Sequence, residues 1–454
     1  MPPSLSSALP LLALAALAAL ARPASSAYCG GGPDPNAQPN SLAPWTDAPT
    51  LVREVRNGKL FSGGDVANGY NFSVVHVYGS AYEMGFAQGS LLAPECNFIA
   101  TQVWAYMEAQ VEQAIDFLPQ ALQELIADLG LELALDVLLN LTAPFTGQYF
   151  YDELRGLADA SGADYQQLAR IHLIGELTQG DCSMVGAWGA ATAGGKTLAL
   201  RALDWDTDGP FKLLPSVTVY HPDAARGGLG HAFANVGFVG WIGSLTGMSS
   251  AQMSIHEIGV SYPDDTHFGS ETFVGVPFVF LLRDILQFDE TYADTVARVE
   301  AANRTCDLIL GVGDGKGEGA FRGFAYSGSQ VEVYDDANLE PWNATADTWH
   351  PRFDSVVYWG MDWLCPGYSR PLSEQIAALH GSLTAENMIS DVLGKVQTGD
   401  VHIAVYDLTD QLMYVSFMAP LNTTVPQMAY DRKYTMLDMK ALFAEPPPAI
   451  AIAE

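Results

Sequence analysis

The sequence predicts an α+β layered fold, and three observations carry that reading. Helical periodicity fills the stretch from Glu95 to about Leu141. Short strand-like runs parted by glycine turns begin at Cys182. Further helices are interleaved among those later strands.

Taken in order, residues 1–27 read as a signal peptide. The apolar core 11–21 is shorter than the roughly 18 residues a membrane span needs, and Ser25-Ser26-Ala27 offers small residues ahead of a cut before Tyr28. A secreted or lysosomal protein is therefore expected. "YCGGGPDPNAQPNSLAPWTDAPT" follows as a Gly/Pro-rich lead-in, and "NFSVVHVYGSAYEMGFAQG" gives a strand, a turn and a helix start. Pro119 and Gly130 divide the helical stretch, and "YDELRGLADASGADYQQLARIHLIGEL" adds a helical pair with a glycine-bearing turn. Residues 28–181 thus read as a mostly helical segment. From Cys182, "CSMVGAWGAAT" and "TLALRALDW" are strands joined by Ala-Gly-Gly-Lys, a hairpin signal. Later strands include "QMSIHEIGVSY", "DVHIAVYDLT" and "QLMYVSFMAP", with helices at "VPFVFLLRDILQF" and at "TAENMISDVLGKV", where Thr384 is the N-cap. Segment 182–454 is expected to form one compact domain with 28–181.

At 454 residues the chain can build one large or two ordinary domains. Fifty-two acidic residues against 21 basic ones give a charge of −31, which argues against nucleic acid and anionic membrane surfaces as partners. No stretch after the leader reads as an integral membrane span. The N-x-S/T sites at Asn71, Asn140, Asn303, Asn343 and Asn422 suit a glycoprotein. Five cysteines, Cys29, Cys96, Cys182, Cys306 and Cys365, allow two disulfide bonds and leave one thiol over, with no zinc spacing.

Several motifs fail on inspection. "GSLTG" lacks the serine of a nucleophile elbow, and "HEIGV" lacks the second histidine of a zincin. "ATAGGKT" lacks the first glycine of a phosphate loop and runs into a strand instead of a helix. His256 and Glu257 read as a satisfied strand pair, and Trp188, Trp205 and Trp241 as core. Cys182 stands apart. It opens a strand, and nineteen positions later Arg201, then Asp204, close the paired strand. A hairpin returns the far end of its second strand to the start of its first, so both come back toward Cys182. A disulfide partner, a buried small residue and a catalytic thiol all stay open on this pattern alone.

"CSMVGAWGAATAGGKTLALRALDWD" resembles the nucleophile strand and the Arg-x-x-Asp strand of the N-terminal nucleophile (Ntn) hydrolases acting on linear amides. Within them it is most similar to the penicillin acyltransferase group and acid-ceramidase-like proteins. "VYGSAYEMGFAQG", "ELRGLADASG", "GWIGSLTGMSSAQMSIHE" and "VPFVFLLRDIL" resemble weaker blocks in the same order. The resemblance implies a four-layer αββα sandwich preceded by a helical segment, and autocatalytic cleavage between Asp181 and Cys182. Light (28–181) and heavy (182–454) segments would stay associated. Cys182 would be the nucleophile, its freed α-amine (ordinary pKa about 7.7–8.0) the general base. Asp204 would hold that amine and Arg201 would favour the thiolate. Ser249 stands where the family carries an oxyanion asparagine, and Gln252 where glycine is usual. The implied substrate is a non-peptide linear amide, with N-acyl lipid amides as one class, and neither metal nor organic cofactor is required. Acyl transfer, a phospholipase-B-like activity and a catalytically degenerate binding glycoprotein are the alternatives.

Overall fold

The computed structural model describes residues 31–115, 120–176, 181–262, 265–269, 272–316, 320–339, 350–363, 366–420 and 427–449. The leader 1–27, Cys29, Pro119, Cys365, Asn343 and Asn422 lie outside the described residues. Sixteen strands follow among those described: β1 (Thr50–Val55), β2 (Gly58–Asp65), β3 (Tyr70–Gly79), β4 (Asp181–Gly189), β5 (Gly195–Asp204), β6 (Pro215–Pro222), β7 (Phe233–Phe238), β8 (Thr246–Ser249), β9 (Met253–Gly259), β10 (Leu308–Asp314), β11 (Phe321–Tyr326), β12 (Val331–Tyr334), β13 (Val356–Trp359), β14 (His402–Asp407), β15 (Leu412–Phe417) and β16 (Thr435–Asp438). They form a ten-stranded sheet in the order β1-β2-β3-β6-β7-β8-β9-β10-β11-β12 and a six-stranded sheet β13-β4-β5-β14-β15-β16. The protein is mixed α and β, as its sequence predicts.

Glycines let the two sheets approach face to face. A Cβ on Gly186 of β4 would lie 1.9 Å from the Phe321 ring of β11, and one on Gly311 of β10 would lie 2.5 Å from the Met184 sulfur of β4. The odd-numbered neighbours of Met184 on β4 face the other way, because side chains alternate along a strand. Met184, and with it Cys182, therefore points toward the ten-stranded sheet.

Segment 28–181 carries three strands besides its helices. Its helices Ala81–Leu91, 93–114, Gln120–Leu129, Leu131–Thr142, Gln148–Ser161 and Tyr165–Ile174 are accompanied by β1–β3. These strands belong to the large sheet, where β3 pairs in parallel with β6 from Ser73↔Ser216 to Gly79↔Pro222. Ser80 caps the helix Ala81–Leu91 through a capping box with Glu83. Gly85 and Gly156 let that helix cross Gln148–Ser161 closely: a Cβ on Gly85 would lie 2.0 Å from Glu153 O, and one on Gly156 would lie 2.1 Å from Tyr82 O. Gly130 and Gly162, at φ +81° and +76°, end their helices as the sequence predicts. Across the seam, Arg283 of the helix Phe278–Phe288 is fully buried and paired with Glu153 at 2.5 Å.

Asn71, Asn140 and Asn303 are exposed. Cys96, Cys182 and Cys306 are buried, and no disulfide joins them to one another, so the expected bridges are not found among the described residues. Among those residues no helix is long and apolar enough to cross a membrane.

Candidate active site

The β4–β5 hairpin forms in the register its sequence implies: Asp181 opposes Asp204, Cys182 opposes Leu203, and Ser183 opposes Ala202. On the next strand His402 opposes Leu203. Cys182, Leu203, His402 and Arg201 therefore share one face of the sheet, while Asp181, Ser183 and Asp204 share the other. The offset of three between Arg201 and Asp204 sets them on opposite sides of the main chain at 181–182. Arg201 addresses the sulfur, and Asp204 can address only the backbone.

Arg201 is fully buried and its Nη2 donates to Cys182 Sγ at 3.1 Å. The same nitrogen pairs with Glu257 Oε2 at 2.7 Å, and Nε donates to Glu257 O at 3.2 Å. Nη1 donates to Thr246 Oγ1 at 2.9 Å and lies 3.2 Å from His402 Nε2. Burial pushes the Cys182 thiol well up, Arg201 pulls it down, and Glu257, Asp204 and Asp181 push it up again. In the uncut chain the sulfur is thus held as a thiol. A thiolate needs a local base or a withdrawn carboxylate.

Asp204 is 4% exposed. Its Oδ1 accepts from the Gly399 and Asp400 nitrogens at 2.7 and 3.1 Å, and its Oδ2 accepts from Thr398 Oγ1 at 2.7 Å. Burial, with Asp400 beside it, still pushes its carboxyl up to about 7. Asp181, chiefly by burial and then by Asp362, is pushed up to about 6.

His256 and Glu257 are both buried on β9 and both have partners: Glu257 is the counter-charge of Arg201, and His256 contacts Ser254 Oγ at 2.9 Å. Nothing in the sequence marked Glu257, because the contact crosses from one sheet to the other. Ser249 ends β8, and its hydroxyl accepts from Met253 N at 3.4 Å inside the turn. Thr246, three residues earlier and about 10 Å along the strand, is the β8 side chain that reaches Arg201. Gln252 takes φ +59°, the left-handed region that favours glycine, and its Nε2 donates to Leu408 O at 2.9 Å. Trp241 packs on His172 in the core at 4.8 Å. Half-buried Trp205 starts an aromatic row through Phe211 and Phe238 to His402, with ring centroids 6.0, 4.6 and 5.7 Å apart.

Titration of this interior pulls stability in both directions. Burial holds His76 and His256 down at about 3, His172, His221 and His350 at about 4, and His402 well below its ordinary value. These depressed groups contribute stability above the unfolded pKa of about 6.5, and it is lost as pH falls below that value. At pH 5 each imidazole held neutral withholds about 2 kcal/mol. The raised carboxyls act oppositely and are more numerous: Asp204 at about 7, Asp181, Asp400 and Asp284 at about 6, and Glu153, Glu257, Asp289, Asp362 and Asp431 pushed up by burial.

No family model matches the chain. It is 35% identical over 418 residues to Protein dcd1B of Dictyostelium discoideum, covering 88% of this chain and 80% of that protein. It is 34% identical over 430 residues to Protein dcd1A of the same organism, covering 91% and 94%. The chain belongs to the family of these dcd1 proteins. Among solved structures it is similar to a Caenorhabditis elegans N-acylethanolamine-hydrolyzing acid amidase (NAAA) ortholog, at 15% identity and a TM-score of 0.37, covering 56% of this chain and all of that one. So loose a likeness carries no argument.

Proposed function

We propose that the protein is a cysteine Ntn amidohydrolase of four-layer αββα architecture that cleaves non-peptide linear amides after cutting itself between Asp181 and Cys182. The observation that carries this is the contact of Arg201 Nη2 with Cys182 Sγ at 3.1 Å, with Asp204 on the opposite side of the same main chain. In the cut form the α-amine of Cys182 takes the thiol proton, and the sulfur attacks the amide carbonyl. The protonated amine returns that proton to the leaving nitrogen, and water then hydrolyses the thioester. Asp204 holds the ammonium, and Arg201 stabilises negative charge on sulfur. All of this chemistry uses side chains and the new terminus alone. Trp205, Phe211 and Phe238 offer apolar surface to an acyl group, which favours N-acyl amides.

Light and heavy segments stay associated in this scheme, because β1–β3 are built into the large sheet and Glu153 pairs with buried Arg283. The leader and the exposed sequons support secretion as a glycoprotein. The test is purification from the medium, gel filtration, a denaturing gel and N-terminal sequencing. Two fragments that co-elute natively and separate when denatured, the heavier beginning at Cys182, are expected. A single uncut chain without activity on a fatty-acyl 4-nitroanilide would overturn the proposal.

A further inference from the structure

Asp204 is held by a built cradle. The turn leading into β14 places Gln397 at φ +51° and Gly399 at φ +96°, which directs the Gly399 and Asp400 nitrogens onto Oδ1. Thr398, fully buried, donates its one proton to Oδ2 at 2.7 Å. Its oxygen lies 2.6 Å from the hydroxyl of Ser183, also fully buried. Since the Thr398 proton is spent on Asp204, Ser183 must be the donor in that contact. The order is Ser183 to Thr398 to Asp204, and it begins on the residue that follows Cys182.

A carboxylate offers about four acceptor sites. Two main-chain nitrogens and one hydroxyl occupy three, which leaves one for the amine that a cut at Cys182 would create. We infer that Thr398, backed by Ser183, is a positioning residue that aims the remaining acceptor of Asp204 at the α-amine of Cys182 and holds the carboxylate ionised. The inference rests on the amidohydrolase reading. Asp181 on β4 shares the face of Asp204, Asp400 stands beside the cradle, and Tyr368, Tyr430 and, from the other face, the Cys182 thiol sense its charge. Each of these disfavours a second negative charge nearby, so the hydroxyl donor is the lever that a single substitution can remove.

The test compares wild type, Thr398→Val, Thr398→Ser and Ser183→Ala across pH on a fatty-acyl 4-nitroanilide. A donor to the ionised form lowers a carboxyl's pKa, so its loss moves the acid limb of the rate profile to higher pH, by about one unit. Thr398→Val should show that displacement, Thr398→Ser should restore the wild-type limb, and Ser183→Ala should move it less in the same direction. Where Thr398→Val fails to fold, Ser183→Ala carries the comparison. A cut, active wild type whose acid limb stays fixed in Thr398→Val and Ser183→Ala overturns the relay alone. A wild type that is neither cut nor active overturns the amidohydrolase reading and the relay with it.

Discussion

Cys182→Ala should leave the chain whole on a denaturing gel, where wild type is expected to run as two fragments, and amide hydrolysis should fall about a millionfold, the usual cost of deleting a catalytic nucleophile. The size of the effect follows from one residue serving twice. In the proposed scheme its sulfur makes the cut that frees its own nitrogen, and that nitrogen is the base for every later turnover. The fold should hardly notice. Cys182 is 1% exposed, and alanine removes a single heavy atom from the face it shares with Leu203 and His402. The loss of stability should stay near 1 kcal/mol by denaturant titration. Cys182→Ala material that is cut at the same bond as wild type would sink the scheme.

How much of this was legible follows from which contacts are local. The β4–β5 register could be read because both strands alternate and are joined by Gly194 and Gly195 at φ +75° and +72°, so Cys182, Arg201 and Asp204 were found together. Strands β1 and β2 were missed because they lie at or next to the sheet edge, and "TLVREV" mixes charged and apolar side chains without a clean period. Glu257 lies 56 residues from Arg201 and in the other sheet, and Thr398 lies 194 residues from Asp204. Sheet stacking decides such partners, and a one-dimensional pattern does not encode it. Ser249 was assigned by position in a resembling motif. In the structure its hydroxyl accepts from Met253 N, and Thr246 of the same strand is the side chain that reaches Arg201.

The second large effect separates the structural from the chemical role of Arg201. Arg201→Met strands Glu257 in the interior without its counter-charge, and Glu257→Met strands the guanidinium. Removing one partner of a buried pair costs about 3–5 kcal/mol, whereas replacing both by apolar side chains is often neutral or stabilising. The double variant Arg201→Met/Glu257→Met should therefore recover most of the stability that either single variant loses. Activity should not recover with it. Arg201 is the group that pulls the Cys182 thiol down, and any chain without it should turn over on the order of 100-fold more slowly. Glu257→Met should behave differently, since Glu257 pushes the thiol up. Its Cys182 should react with iodoacetamide at lower pH than wild type, provided enough protein folds. A stable double variant with wild-type turnover would reduce Arg201 to a packing residue and leave the sulfur without its positive neighbour. A stable but inactive one assigns the fold to the pair and the chemistry to the guanidinium.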